Sequence, residues 1–360
     1  MEMPQTKFTW KTIVFPVIGI AAFFVYIYFF HVDIVAIVNT LKTIKPLPYV
    51  IAVVFSLLEI LFFALSWRVL ANFLRIKLST IRSYLLVWYG IFVDTLIPAE
   101  AVSGELVRAH FIAKEQGNSK WGPALASLVT QRFLGMGINI AVLIVGITLL
   151  FIGNQAPLNS IVFNSILLIT IAISATLIAL IILAFKEQWT IKLLNSILKI
   201  VNFISRGHWN LYHLSQSIQQ IIQSFHKSMK EFKNNPKPLI ISLTHLIITW
   251  IFSLSAQYLV FTSLGITVSW SMITITAAIV LAVKAIPLGI PFEIGIPEAT
   301  MTTLYIAFNI DPAIAATATI LSRLFTLWLR FFIGFTAQQW LTLKPIINSP
   351  PPNNKPEIQN

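Results

Sequence analysis

The chain has no cysteine, which excludes disulfides, thiolate metal sites and cysteine nucleophiles together. Charge is scarce: only 11% of the residues are Asp, Glu, Lys or Arg, and 13 of the 360 are acidic. His110, His208, His213, His226 and His245 form no ligand spacing with carboxylates, so neither a metal site nor a cofactor is implied. The net charge of +12 sits in loops between apolar runs, and nothing suggests a nucleic-acid module. What is abundant is apolar. The chain is 57% hydrophobic with a mean hydropathy of +0.81, the composition of a membrane protein.

Runs long enough to cross a bilayer of roughly 30 Å, which takes about 20 residues, lie near 12–30, 48–67, 121–152, 160–185, 238–262 and 312–341. The first follows a short basic head, Lys7 and Lys11, and ends in YFFHVD without a small-x-small cleavage site, so it reads as an anchor. Four shorter apolar pieces, 84–98 with 105–113 and 271–290 with 298–310, form pairs separated by prolines.

Lys and Arg collect in cytoplasmic loops, and this decides the threading. Residues 68–82 carry Arg68, Arg75, Lys77 and Arg82; residues 186–237 carry eight Lys or Arg; the connection GNQAPLN at 153–159 carries none. Two crossings fit between the first two loops, so residues 84–116 are expected to enter from the cytoplasm and return to it. Residues 271–310 then enter and leave from outside, and both termini are cytoplasmic. The expected fold is an all-α polytopic membrane protein with about six full transmembrane helices plus two re-entrant helical pairs in an inverted-repeat arrangement. Repeat 1 spans about 48–152 and repeat 2 about 238–342. Such repeats, with interrupted helices meeting near the midplane, are the architecture of alternating-access transporters.

A local echo supports the repeat. PAEAVSGE at 98–105 and PFEIGIPE at 291–298 both place Glu two and seven residues after a proline: Glu100 and Glu105 after Pro98, Glu293 and Glu298 after Pro291. Two such coincidences arise on the order of once in ten thousand shuffled chains. The spacing continues, since Glu105 precedes Arg132 in one span and Glu298 precedes Arg323 in another. Each Arg lies about 16 Å into its span, near mid-bilayer. Ionisable groups there cost at least about 2.5 kcal/mol each and usually pair or serve a site. The expected pairs are Glu105 with Arg132 and Glu298 with Arg323, either as a substrate site or as locks between helices.

Each motif ends where a short helix begins. Ser103 and Gly104 form an N-cap candidate, and Pro297 suits a first helical position. Free backbone donors at such ends attract phosphate or carboxylate, with Arg132, Arg323 and Lys284 strengthening the field. Glu100 and Glu293 have capping as their alternative role.

The stretches IPAEAVSGELVRAHFIAKEQG with ASLVTQRFLGMG, and IPLGIPFEIGIPEATMTTLY with LSRLFTLWLR, resemble the signature regions of the flippase-like membrane family that includes the transmembrane region of lysylphosphatidylglycerol synthetase. The resemblance covers roughly residues 10–342. It implies family positions at Gly104, Glu105, Arg108, Arg132, Gly295, Glu298 and Arg323, and translocation of a lipid head group between leaflets without an attached catalytic domain. Where the family commonly has a Gly-Gly pair after the second proline, this chain has Phe292 and Glu293. The expected partners are membrane lipids, anionic or phosphate-bearing, and no nucleic acid.

Residues 186–237 read as amphipathic helix, with Trp189, Ile191, Leu194, Ile197, Leu198 and Val201 at helical spacing and a second such run from Leu211 to Phe232. This basic segment suits an anionic lipid surface or serves as a linker between repeats. Residues 343–360, rich in proline and asparagine, are expected to form a disordered cytoplasmic tail. Two further functions fit the same residues: an integral-membrane transferase or hydrolase using the Glu pairs as acid and base, and a membrane partner of a separate lipid-modifying enzyme. An enzyme would want one asymmetric site with carboxylates in different environments, so the duplication favours transport.

Overall fold

Hydrocarbon offers no water to backbone N–H and C=O groups, so a chain this apolar must satisfy them within helices. The computed structural model describes residues 42, 44–97, 102–152, 160–192, 196, 212–284 and 295–347, and no strand occurs among them. The helices are α1 (Pro46–Phe73), α2 (Thr80–Leu96), α3 (Val102–Gln116), α4 (Trp121–Ile152), α5 (Ser160–Phe185), α6 (Tyr212–Asn234), α7 (Lys237–Ser263), α8 (Trp270–Lys284), α9 (Ile296–Ala307) and α10 (Pro312–Arg323). A π-helical segment, Leu324–Leu329, carries α10 directly into α11 (Arg330–Ile347).

Helices α1, α4, α5, α7 and the continuous α10–α11 rod are long and apolar enough to cross a membrane, so the protein is an all-α polytopic membrane protein. The span expected at 12–30, together with Pro98, Glu100, Pro291 and Glu293, lies outside the described residues. Helices α2, α3, α8 and α9 have 17, 15, 15 and 12 residues. At 1.5 Å per residue they reach about 18 to 26 Å, short of the roughly 30 Å core. Each pair packs as a hairpin, α2 on α3 and α8 on α9. Arg82 at the start of α2 pairs with Glu115 at the end of α3, which ties the open end of the first hairpin.

The turns joining α1 to α2 and α7 to α8 agree position by position. LRIKLS at 74–79 and LGITVS at 264–269 both begin with the helix C-cap, then place a left-handed residue, Arg75 at φ 60° and Gly265 at φ 77°. The next N–H, from Ile76 or Ile266, reaches back to Ala71 O or Phe261 O at 3.0 Å. The final serine accepts from the N–H three residues on, Arg82 or Met272, at 3.2 Å in both. A second left-handed pair, Gly117 at φ 99° and Asn309 at φ 63°, turns α3 toward α4 and α9 toward α10.

Packing between α1–α4 and α7–α11 is reciprocal. Helix α1 lies along α7, the most extensive contact among the described helices, while α4 packs on α8 and α11 packs on α2. Glycine permits both crossings: a Cβ on Gly146 of α4 would stand 2.8 Å from Ile275 of α8, and one on Gly334 of α11 would stand 2.6 Å from the Trp88 carbonyl of α2. The core is split accordingly. One cluster gathers Trp67, Trp88, Ile112 and Leu128 with Leu341 from α11, and the other gathers Phe261, Tyr305 and Phe325 with Ala52 from α1.

Helix α6 covers one end of this bundle. Its Met229 and Phe232 are buried against Leu70, Ala126 and Ala184, so the apolar side of its last turns meets protein. Gly122 of α4 sits so close to Ser224 that a Cβ would lie 2.5 Å away. Helix α11 runs to Ile347, four residues past the expected start of a disordered tail at 343, and the remainder lies outside the described residues.

Candidate functional site

An ionised side chain in a dry interior must be paired and hydrogen-bonded, so the buried charges mark where the polar chemistry concentrates. The beginnings of α3 and α9 carry most of it. Glu105 stands in the first turn of α3, and Arg132 Nη1 of α4 lies 3.4 Å from its Oε1, with side-chain exposures of 16% and 28%. Glu298 stands in the first turn of α9, and Arg323 Nε donates to its Oε1 at 2.6 Å, with exposures of 3% and 8%. The second pair is therefore shorter and far drier than the first.

Carboxylates take two of the backbone donors expected to be free at these helix starts, the N–H groups of Gly104 and Gly295. Asp94, near the end of α2, reaches across the hairpin: its Oδ1 accepts from Gly104 N–H at 2.6 Å and from Ser103 Oγ–H at 2.7 Å. Ser103 and Gly104 are thus the second and third residues of α3 and are capped by Asp94. In α9 the cap is internal, since Gly295, held at φ 101°, donates its N–H to Glu298 Oε2 at 2.7 Å. Pro297 is buried in the second position of α9, not the first. Helix polarity explains both contacts, because a negative charge at an N-terminus meets the positive end of the dipole.

Gly104 has a steric reason to be glycine. A Cβ there would lie 2.4 Å from Asp94 Oδ2 and 2.4 Å from the Gly90 carbonyl, so only two glycines let α2 and α3 approach this closely. Arg108, one turn beyond Glu105, is buried beneath that crossing. Its Nε donates to Gly104 O at a long 3.4 Å, its guanidinium lies 5.2 Å from the Trp67 ring, and its Nη1 has no hydrogen-bond partner among the described residues. Trp67 is itself held by Ser127, whose Oγ accepts the indole N–H at 3.0 Å. Lys284 is the last residue of α8 and is half-buried.

Sequence reasoning passed over two of these acids. Asp94 is one; the other is Glu59 in the middle of α1, whose Oε2 accepts from Arg330 Nη2 of α11 at 2.7 Å while Ser56 Oγ accepts from the same nitrogen at 3.1 Å. Both stand inside apolar runs, GIFVDTLIP and FSLLEILFF, where a lone carboxylate is itself the signal. Together Glu59, Asp94, Glu105 and Glu298 face Arg108, Arg132, Arg323 and Arg330, which leaves this set of side chains close to neutral. Among the described residues no cluster of three or more His, Asp or Glu could hold a metal ion.

An apolar groove of about 630 Å³ runs between α4 and α7 and ends at Trp270 and Thr274 of α8. Its α4 wall includes Leu134, Ile138, Ala141 and Val145, which recur at helical spacing. Arg132 falls on the opposite side of α4, toward α3.

Residues 16–334 match the family described as the lysylphosphatidylglycerol synthase TM region. A UPF0104 membrane protein of Methanocaldococcus jannaschii is 25% identical over 337 residues, spanning 93% of this chain and 96% of its own. One of Pyrococcus horikoshii is 23% identical over 291 residues, spanning 79% and 84%, and one of Methanothermobacter thermautotrophicus is 23% identical over 303 residues, spanning 83% and 87%. No solved structure matches the chain significantly. The matched region takes in both hairpins and every ion pair described above, and the protein belongs to the lysylphosphatidylglycerol synthase TM region family.

Proposed function

We propose that the protein moves a lipid head group, anionic or phosphate-bearing, between the two leaflets, and that it does so without catalysing a covalent step. The observation that carries this reading is the placement of mutually neutralised charges at the starts of two helices too short to cross, in two units that pack reciprocally. In this reading the units are inverted copies, about 48–152 and 238–342, lying in the cell membrane with both termini cytoplasmic. The matched turns at 74–79 and 264–269 support the duplication. Inverted repeats supply two equivalent half-paths, one open to each side in turn.

The chemistry is exchange of anions on arginine. A lipid phosphate enters laterally with its acyl chains in hydrocarbon, and its oxygens replace carboxylate oxygens on Arg132 or Arg323. Glu105 and Glu298 then compete for the same guanidiniums, so the phosphate can leave. Arg108 Nη1 supplies a donor that the carboxylates leave unsatisfied, and an unmade buried hydrogen bond is worth about 1–3 kcal/mol to whatever fills it. Lys284 adds positive charge at the second hairpin. The groove between α4 and α7 offers an apolar wall for an acyl chain along the way.

The test uses purified protein in liposomes holding fluorescent lipids of different head groups, with label accessibility followed on each leaflet. Wild type should exchange phosphate-bearing lipids, and a folded Arg132→Ala, Arg323→Ala double variant should lose most of that exchange. Equal exchange by both proteins would show that the charged seam carries no lipid. The threading is tested separately in this cysteine-free chain. A cysteine placed at the exposed Ser119 should label from the cytoplasm and one at the exposed Asn309 from outside; the reverse pattern sinks the orientation.

A further inference from the structure

The Glu59–Arg330 pair stands apart from the two hairpin pairs in three ways. It links the units to each other, from α1 to α11, whereas Glu105–Arg132 and Glu298–Arg323 each lie within one unit. It is also not duplicated. The matched turns put Thr249 of α7 opposite Glu59, and Asn139, seven residues after Arg132, takes the place of Arg330, seven residues after Arg323. Asn139 is buried, and its Oδ1 has no hydrogen-bond partner among the described residues.

The third difference is how Arg330 is aimed. Seven residues make nearly two turns of α-helix, so Arg323 and Arg330 would share a face if their helix were regular. The π segment at Leu324–Leu329 lies between them, and the extra residue in its turn rotates Arg330 by about 100°. Arg323 consequently meets Glu298 of α9 while Arg330 meets Glu59 of α1. Helix α4 has no such segment. An irregular turn that serves one contact, and an acid at the centre of a 28-residue span, point to a working part.

Around Glu59 the charged and titratable groups on neighbouring helices are otherwise engaged. On α7, the His245 ring lies 6.0 Å from that of Phe62 and its Nδ1 lies 2.7 Å from Ile241 O; on α4, Arg132 holds Glu105; on α2, Asp94 caps α3. Lys237 and Tyr258 lie near the ends of α7, and Arg82, Tyr84 and Tyr89 lie on α2. Arg330 of α11 donates to Glu59 and to Ser56 of α1, and Arg330 Nε has no hydrogen-bond partner among the described residues.

We propose that Glu59 is a proton-binding site that couples proton entry to lipid movement, an inference that rests on the lipid-translocation reading above. With Glu59 ionised, Arg330 is held and α11 is locked to α1. A proton from water binds the Glu59 carboxylate and breaks the ion pair, leaving one positive charge on Arg330. A lipid phosphate neutralises that charge, so one proton and one anionic head group occupy the site together. Return of the proton to the opposite aqueous side restores the pair and expels the lipid. The two duplicated half-paths have no inherent direction, and a single unduplicated acid supplies one.

Two measurements test this. An apolar carbodiimide such as dicyclohexylcarbodiimide adds to protonated carboxyl groups in hydrocarbon surroundings, and peptide mass spectrometry reads which residue carries it. Glu59 should carry label in the folded protein, and severalfold more in Arg330→Gln at equal pH, where the ion pair that holds the carboxylate is absent. Absence of label on Glu59 at every pH in folded protein overturns the proposal. In liposomes holding a fluorescent anionic phospholipid, a one-unit pH step should shift the lipid distribution up to about tenfold for one proton per lipid, and Glu59→Gln should abolish the response. A gradient response that survives in Glu59→Gln overturns the proton site. Labelling of Glu59 without lipid movement by wild type leaves the proton site standing and refutes the translocation reading.

Discussion

The two hairpins share a frame and differ in charge. Asp94 and Lys284 stand at the same position, fourteen residues after the starts of α2 and α8, yet one is negative and the other positive. At the first hairpin Asp94 caps the neighbouring helix and leaves Glu105 to a 3.4 Å, partly wet contact with Arg132. At the second, Glu298 both caps its own helix and holds Arg323 at 2.6 Å in a dry setting. One backbone plan therefore supports a loose charge pair and a tight one. What sets their strengths is who supplies the helix cap. A carboxylate that also serves as cap is held from two directions, as Glu298 is, whereas Glu105, relieved of capping, makes one long contact and stays partly exposed.

The sharpest way to break this comparison is to remove each arginine. Arg323→Ala strands a buried Glu298 and should lower stability by about 3–5 kcal/mol, while Arg132→Ala, at a longer and wetter pair, should lower it by about 1 kcal/mol. Thermal unfolding of purified protein in detergent reads both, and equal losses would erase the distinction between the hairpins.

The two motif glycines sharpen it further. Gly104→Ala forces a Cβ against the Gly90 carbonyl and should lower stability by about 1–3 kcal/mol through overpacking. Gly295→Ala meets nothing within 4 Å and should suffer only from its φ of 101°, about 1–2 kcal/mol. Shortening a neighbour cannot relieve the second, so a partner substitution at Asp94 that improved Gly295→Ala would contradict this account.

Asp94→Ala should lower stability by about 1 kcal/mol by uncapping α3, and Asp94→Asn, which keeps an acceptor, by less. Hydrogen exchange confined to the first turn of α3 would locate the loss; exchange spread across α2 would place the role of Asp94 elsewhere.

The smallest effect lies outside both hairpins, on α6. Burial lowers the His226 imidazole below its ordinary 6.5, opposed by Glu187 and the Ala184 carbonyl and aided by Lys230. The folded state then binds a proton less readily than the unfolded chain. Stability is complete above about pH 6.5 and is lost as pH falls below it. Unfolding midpoints between about pH 8 and 5 should decline less in His226→Gln than in wild type; parallel declines would remove His226 from the explanation.

Much of this was legible from residue order. Apolar runs announce the spans because hydrocarbon admits only long satisfied helices. Glu105 with Arg132 and Glu298 with Arg323 follow from repeated spacing, since unpaired charges at that depth are expensive. The turn signals LRIKLS and LGITVS were also present, but with Arg75 where the other copy has Gly265 the likeness hides in a residue pair of unlike chemistry. Asp94 and Glu59 were visible as acids in apolar runs, yet neither belongs to the repeated motif, so a search by repetition passes them by.

Sequence alone determined that this chain is a helical membrane protein, where the five long apolar helices among the described residues fall, and which acids match which arginines in the repeated motifs, because hydropathy and spacing are local properties of the chain. Tertiary structure decided the rest. It brought Asp94 onto the start of α3, used Glu298 as its own cap, and aimed Arg330 at Glu59 through a π turn. Those outcomes depend on a helix approach measured against a glycine Cβ and on a rotation of one residue, and neither distance nor rotation is written in the order of residues along a single run.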